Sequence, residues 1–307
     1  MIQFRMATSN KILWGLYAAA LCAAAPAPAF GHGFAGQRFF PATLATDDPF
    51  VADELSLPTV SSRRIPATGA EPAGRESTAS VEIAKRMTPR LGLGVGVTGL
   101  QTKPDGESAQ RGFDNLALSA KYQFYENDDR EAIASAGVDW DVGGTGAKRV
   151  GVESFSTVTP AVFFGKGFGD LPENFSGLRP FAVTGSLGVA MPSNSSAPDV
   201  LTSGLSLQYS IPYLQSAVKD IGLRAPFNRM IPIIEIAMEK PMDRGGGPTT
   251  GTVNPGVLWA GKSVQFGLEA IVPINSRSGS GVGFIAQLHF YLDDLFPQTL
   301  GKPIYGQ

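Results

Sequence analysis

The chain has 307 residues, of which 17% are charged and 37 are glycine, against about 25% charge and about 7% glycine in ordinary soluble domains. An apolar content of 43% with a net charge of −2 excludes a disordered chain, which needs low hydrophobicity and high net charge. The same balance gives no basic footprint for nucleic acid, and the body of the chain has no apolar run long enough for a spanning helix.

In chain order, the N-terminus reads as a secretory signal. Arg5 and Lys11 are basic, Ile12 to Ala25 is apolar, and Ala27-Pro28-Ala29 and Ala29-Phe30-Gly31 offer small residues for cleavage after Ala29 or Gly31. A membrane anchor is the weaker reading, because the run is short and meets Pro26 and Pro28. Cleavage removes the single cysteine, Cys22, and leaves 23 basic against 27 acidic residues. Such a mature chain has neither a disulfide framework nor a thiolate site, which suits the envelope of a Gram-negative bacterium. Residues 32–54, with Asp47, Asp48, Asp53 and Glu54, read as a periplasmic arm or as a plug inside a lumen.

From residue 55 the periodicity is two. Val264, Phe266, Leu268, Ala270 and Val272 alternate with Gln265, Gly267, Glu269 and Ile271, and Leu205, Leu207 and Tyr209 alternate with Gly204, Ser206, Gln208 and Ser210. The spacing predicts twelve strands: 55–65, 77–87, 91–100, 113–125, 131–141, 154–165, 179–190, 200–210, 230–240, 250–260, 263–273 and 281–292. Pro58 interrupts the first, but an even strand number with both ends on the periplasmic side requires it. Residues 55–292 then form the barrel, and 293–307 a periplasmic tail. Tight separators alternate with long polar ones, except that 166–178 and 211–229 are longer than tight turns.

Each segment has the length a tilted strand needs to cross a bilayer. Lipid tolerates no unpaired backbone, so strands cross only as a closed barrel. The expected fold is all-β, a transmembrane antiparallel barrel of about twelve strands. A secreted soluble β-sandwich also alternates, but its outer face would carry the charges that here cluster in loops. Tyr122, Phe124, Trp140, Phe163, Phe164, Trp259, Phe290 and Tyr291 fall near strand ends, where aromatic girdles belong.

The face turned away from lipid carries Glu82, Lys121, Asp139, Asp141, Glu235, Glu239, Glu269 and His289 as lumen-lining candidates. Acidic rings favour cations; the alternative is that these charges pair with Arg111, Lys148, Arg149 or Arg244 from loops folding inward. Two motifs match only as strings. Gly256 to Ser263 fits the P-loop expression and Gly94 to Gly99 the dinucleotide fingerprint. Each lies in a period-two strand rather than at a helix start, so no cofactor is expected. The two histidines, His32 and His289, leave metal binding as a minor alternative, and no His-x-Ser pair on one strand suggests an enzyme.

His32-Gly33-Phe34-Ala35-Gly36, Arg38 to Leu44, Asp47 to Leu55, Gly165 to Pro172, Leu178-Arg179-Pro180-Phe181 and Tyr213-Leu214-Gln215-Ser216 together resemble an uncharacterised family of proteobacterial outer-membrane "transporter" barrels. More distantly, the chain is similar to the barrel family named for a phenol-degradation pathway (the MetA pathway). The resemblance implies a non-catalytic channel for small molecules, aromatic or hydrophobic ones included. It also implies outer-membrane lipid, lipopolysaccharide and the barrel-assembly machinery as partners. A structural or adhesive, non-conducting barrel is the alternative. Leu295 to Gln307 follow the last strand, which leaves Phe290 and Tyr291 as the aromatic assembly signal.

Overall fold

A computed structural model describes residues 33–67, 69, 72–242 and 247–306; the signal-peptide segment, Cys22, His32 and Arg244 lie outside them. A short hairpin, β1 (Phe34–Ala35) and β2 (Arg38–Phe39), comes first. Twelve long strands follow: β3 (Glu54–Ile65), β4 (Gly74–Thr88), β5 (Leu91–Pro104), β7 (Leu116–Asn127), β8 (Ala132–Val142), β9 (Thr157–Gly167), β10 (Phe181–Pro192), β11 (Val200–Tyr209), β12 (Met230–Pro241), β13 (Thr250–Ala260), β14 (Val264–Pro273) and β15 (Gly283–Tyr291). A four-residue strand, β6 (Gln110–Phe113), extends the long hairpin of β5.

All twelve pair antiparallel with their neighbours, β15 pairs β3, and β4 pairs β5, so the sheet closes without a free edge. The predicted strands are all present. The fourth differs most, because β6 splits from it and the long strand begins only at Leu116. Pro58 falls where the pairing register slips between Ser56 and Thr59, a bulge that accommodates its missing N–H. Both string motifs resolve as strand: Gly94 to Gly99 lies in β5, and Gly261 closes the β13–β14 hairpin with its N–H on Val264 O at 2.8 Å.

The tight turns and both ends of the described chain lie at one end of the barrel, which is the periplasmic end in outer-membrane barrels. The two longer separators there contain a 3₁₀ helix (Glu173–Leu178) and a helical turn (Ile211–Tyr213) running into Leu214–Val218. The tail folds back on β4, where Ile304 N and Tyr305 N donate to Arg86 O and Met87 O.

Val95, Val162, Phe164, Leu187, Leu205, Leu268 and Phe284 are exposed large apolar residues on the outer wall. Two expected girdle residues turn inward instead. Phe163 is 3% and Tyr291 2% exposed, because strand neighbours face opposite sides: Phe164 and Phe290 take the outer positions. A charge in the middle of the outer face is costly. Leu268→Arg is expected to lose about 2–4 kcal/mol of stability, read as a drop in the denaturant midpoint for folding into lipid vesicles.

Candidate functional site: the lumen and its arm

Residues 33–53 run inside the barrel, from the turn end to mid-depth and back. The outgoing limb is tied at Gly36, whose N–H donates to Asp128 Oδ1 at 3.0 Å, and at Arg38. Arg38 is fully buried. It pairs with Glu131 at 3.0 Å, donates to Pro180 O at 3.1 Å and to Arg179 O, and stacks on the Tyr213 ring at 3.6 Å. Burial lowers its guanidinium pKa, and Glu131 opposes this. Glu131 itself adopts a left-handed backbone (φ 46°), unusual without glycine.

The tip of the arm is held by Glu235. Its carboxylate accepts Leu44 N at 2.8 Å, Ala45 N at 2.9 Å, Thr46 N at 2.7 Å and Thr46 Oγ1 at 2.9 Å. Three successive amides aimed at one carboxylate form an anion-binding concavity. On the return limb Lys121 Nζ donates to Asp48 O at 2.7 Å, and Ser135 Oγ to Pro49 O. Burial pushes the Asp48 carboxyl up to about 6; Lys121 opposes this, while Glu54 and Asp47 reinforce it. Asp53, fully buried, closes the limb by accepting Lys85 Nζ at 2.6 Å, Arg86 N at 2.8 Å and Arg86 Nε at 2.7 Å. The same two cations bind the tail carbonyls of Leu300, Gly301 and Lys302.

Packing follows the same path. Near the turn end the inward face is apolar: Ile231, Ile233 and Leu258 meet Phe39 and Leu44, and Ala182 meets Phe40. Elsewhere the inward face is small where the arm passes. A Cβ at Gly267 would stand 2.6 Å from Leu44, one at Gly204 3.0 Å from Thr46, and one at Gly92 3.1 Å from Val51, too close for an undisturbed arm. The excess glycine of the sequence includes the bed of the arm.

The arm tip divides the lumen. Ala45, Thr46 and Asp47 are on the wall of an outer vestibule of about 580 Å³, together with Thr159, Ser186, Thr202, Thr250 and Ser278. Its charges are Asp47, Asp139 and Glu239 against Arg63 and Arg277, and Phe163 is the one aromatic residue among its described lining. On the other side of the tip is a cavity of about 70 Å³, bordered by Asp48, Glu54, Glu82, Lys121 and Asp139.

The candidate residues thus separate into groups. Glu239 and Asp139 face the vestibule, and Glu82, Asp139 and Lys121 the inner cavity. Lys121 also lies over the Phe163 ring at 4.6 Å. Glu235 and Glu269 are buried behind the arm. Asp141 is exposed near the long-loop end, with Asp114 as its charged neighbour. His289, 2% exposed, meets Ser56 Oγ at 2.9 Å through Nδ1 and Glu54 Oε2 at 3.3 Å through Nε2. Of the loop bases among the described residues, Arg111 bonds Gln101 and Arg149 bonds Arg111 O. The arm's backbone amides serve Glu235. No cluster of three or more His, Cys, Asp or Glu able to hold a metal occurs among the described residues.

Sequence reasoning missed Arg38, Glu131 and Ser56. Their contacts join segments far apart in the chain, 93 residues for Arg38–Glu131 and 233 for Ser56–His289. The apolar inward positions Ile231 and Ile233 were the legible signal: a water-filled lumen has no use for them.

No protein-family model and no curated protein sequence matches the chain. Among solved structures, it is similar to the COG4313 outer membrane channel from Pseudomonas putida F1, with a TM-score of 0.52 and 12% identity over 82% of this chain and 99% of that one. It also aligns with a KdgM porin (TM-score 0.46, 11% identity, 76% and 98% covered) and with LpxR from Salmonella typhimurium (0.43, 10%, 78% and 99%). The chain folds as a closed twelve-stranded antiparallel β-barrel, a fold it shares with outer-membrane barrels.

Proposed function

We propose that the protein is a non-catalytic outer-membrane channel for small polar solutes, with the arm as its gate. The observation that carries this reading is the vestibule: an open cavity with hydroxyl side chains and charges of both signs on its wall, floored by the arm tip. Such a wall replaces the hydration of a polar or zwitterionic solute and offers little to an aromatic or hydrophobic one. Its mixed charge also weakens any strong preference for cations. The row Ser56–His289–Glu54 is read as structural, since neither Ser56 nor His289 borders either lumenal cavity. Export by the N-terminal signal, insertion by the barrel-assembly machinery, and lipid and lipopolysaccharide as surroundings complete the proposal.

Liposome swelling tests it. Vesicles carrying the protein should swell in pentoses and small amino acids, more slowly in disaccharides, with single-channel steps in planar bilayers. A second reading has its own support, since the arm fills the turn-end half of the lumen: a non-conducting structural barrel. Intact insertion with neither swelling nor conductance sinks the channel and favours that barrel.

A further inference from the structure

The outer face of β4, β5 and β6 changes character along the strands. The cross-strand pairs Ile83–Val95 and Val81–Val97 are apolar and face lipid. The next outward pair is Ala79–Gly99, then Ser77–Gln101, then Arg75–Lys103. β6 adds Phe113 beside Gly99 and Arg111 beside Gln101. Gln101 lies about 13 Å beyond Val97 along the strand, at about 3.3 Å per residue. A strand tilt of about 40° makes this about 10 Å along the membrane normal. This is the long-loop end, opposite the periplasmic turns, so the polar rows stand at the headgroup level of the outer leaflet. Because Ala79 and Gly99 are small, a groove of about 430 Å³ opens there, with the exposed Phe113 on its border and Arg111 and Arg149 at its head.

The cations of this face lack counter-charges. Arg64, Arg75 and Lys103 form one row across three strands, and like charges directly opposite one another destabilise a sheet. Asp105 takes Arg64, at 3.0 and 2.6 Å. No carboxylate among the described residues pairs with Arg75, Lys103, Arg111 or Arg149. Arg75 donates to Ser62 Oγ at 3.2 Å, Arg111 to Gln101 Oε1 at 2.8 Å and Arg149 to Arg111 O. All three acceptors are neutral, and each guanidinium has further N–H groups to give. Planar guanidinium groups match phosphate bidentately.

We propose that this face binds one molecule of lipopolysaccharide, the phosphorylated, multiply acylated glycolipid of the outer leaflet. One phosphate sits against Arg111 and Arg149, and a second is held by Arg75 and Lys103. An acyl chain enters the groove beside Phe113 and continues over Val81 and Val97. The charge count selects this lipid: four unpaired cations call for more than the single negative charge of a phosphodiester headgroup. The site rests on the outer-membrane placement of the barrel and not on conduction, since binding needs no transport.

The test uses the full mature chain refolded in detergent, with the mobility shift of the unheated protein as proof of a folded barrel. Lipid A bearing both phosphates, the same lipid A with its phosphates removed, phosphatidylglycerol and inorganic phosphate are each titrated, and complexes are counted by native mass spectrometry. Diphosphorylated lipid A should bind one molecule per barrel, and removal of its phosphates should weaken binding about tenfold or more, the weight of one hydrogen bond to a charged group. Arg111→Ala combined with Arg149→Ala should weaken it by a similar factor. Lys240→Ala, which removes an exposed cation opposite Leu201 on β12, should bind like wild type. The lipid comparison on the wild-type chain needs no variant to fold. The proposal is overturned if dephosphorylated lipid A, phosphatidylglycerol or inorganic phosphate binds as tightly as diphosphorylated lipid A. It is also overturned if the double variant binds like wild type, or if Lys240→Ala loses as much as the double variant. Lost lipid binding with intact liposome swelling would sink this site alone, and the channel would stand.

Discussion

Glu235→Ala is expected to loosen the arm tip and raise the open probability of the channel. The substitution removes the acceptor of four hydrogen bonds and leaves the amides of Leu44, Ala45 and Thr46 without it. A hydrogen bond to a charged group contributes about 1.5–3 kcal/mol, and such bonds on one carboxylate do not add. Breaking a buried charged contact from one side typically costs about 3–5 kcal/mol. Each 1.4 kcal/mol is tenfold in an equilibrium constant, so a tip rarely undocked in wild type becomes undocked about a hundred to a thousand times more often. The limbs stay anchored at Arg38 and Asp53, so the tip swings while its stem remains. Single-channel records should show longer openings or a higher conductance level, and proteolysis should begin between residues 43 and 48. Glu235→Gln keeps one acceptor oxygen and should fall between the two. Wild-type conductance and protection in the alanine variant would mean that Glu235 does not hold the gate.

The barrel was legible because its physics is local. Alternation along each strand, a lipid-facing set such as Phe266, Leu268 and Val272, and turn residues at Gly261 are all read within ten residues, and closure follows from the demand for paired backbone. Girdle placement failed where two aromatics are adjacent: Phe163 and Phe164 cannot both face lipid, and position near a strand end does not say which one does. The arm was the harder part. Its residues carry no period, and several of its partners lie far along the chain, 93 positions away for Arg38–Glu131 and 191 for Leu44–Glu235. The inward glycines were visible but had two readings, room for solute or room for protein. Only the fold shows that Leu44 passes over Gly267 and Thr46 over Gly204. Inward charge was likewise foreseeable, whereas the use of backbone amides to neutralise Glu235 depends on the conformation of residues 44–46.

Arg38→Ala should have the largest effect at the turn end, because one buried guanidinium ties three segments together. It joins the outgoing limb of the arm to the β7–β8 turn through Glu131. It reaches the segment before β10 through the carbonyls of Arg179 and Pro180, and the segment after β11 through Tyr213. Its removal leaves Glu131, 4% exposed, without its cationic partner; Gly169 N at 3.0 Å remains as a donor. The loss should approach the 3–5 kcal/mol of a broken buried pair, with no hydrophobic gain, since alanine leaves the space above Tyr213 empty. Lysine should not restore it. A single ammonium cannot lie flat on the ring while reaching a carboxylate and two carbonyls, as the planar, multiply donating guanidinium does. Amide exchange is the measurement that separates this from general destabilisation. In Arg38→Ala and Arg38→Lys, residues 33–42, 168–180 and 211–218 should exchange at least tenfold faster, while β13 and β14, which Arg38 does not touch, keep wild-type protection. Uniform acceleration across the barrel would make Arg38 an ordinary core residue. Full rescue by lysine would show that charge alone, without stacking and fork geometry, holds the arm in place.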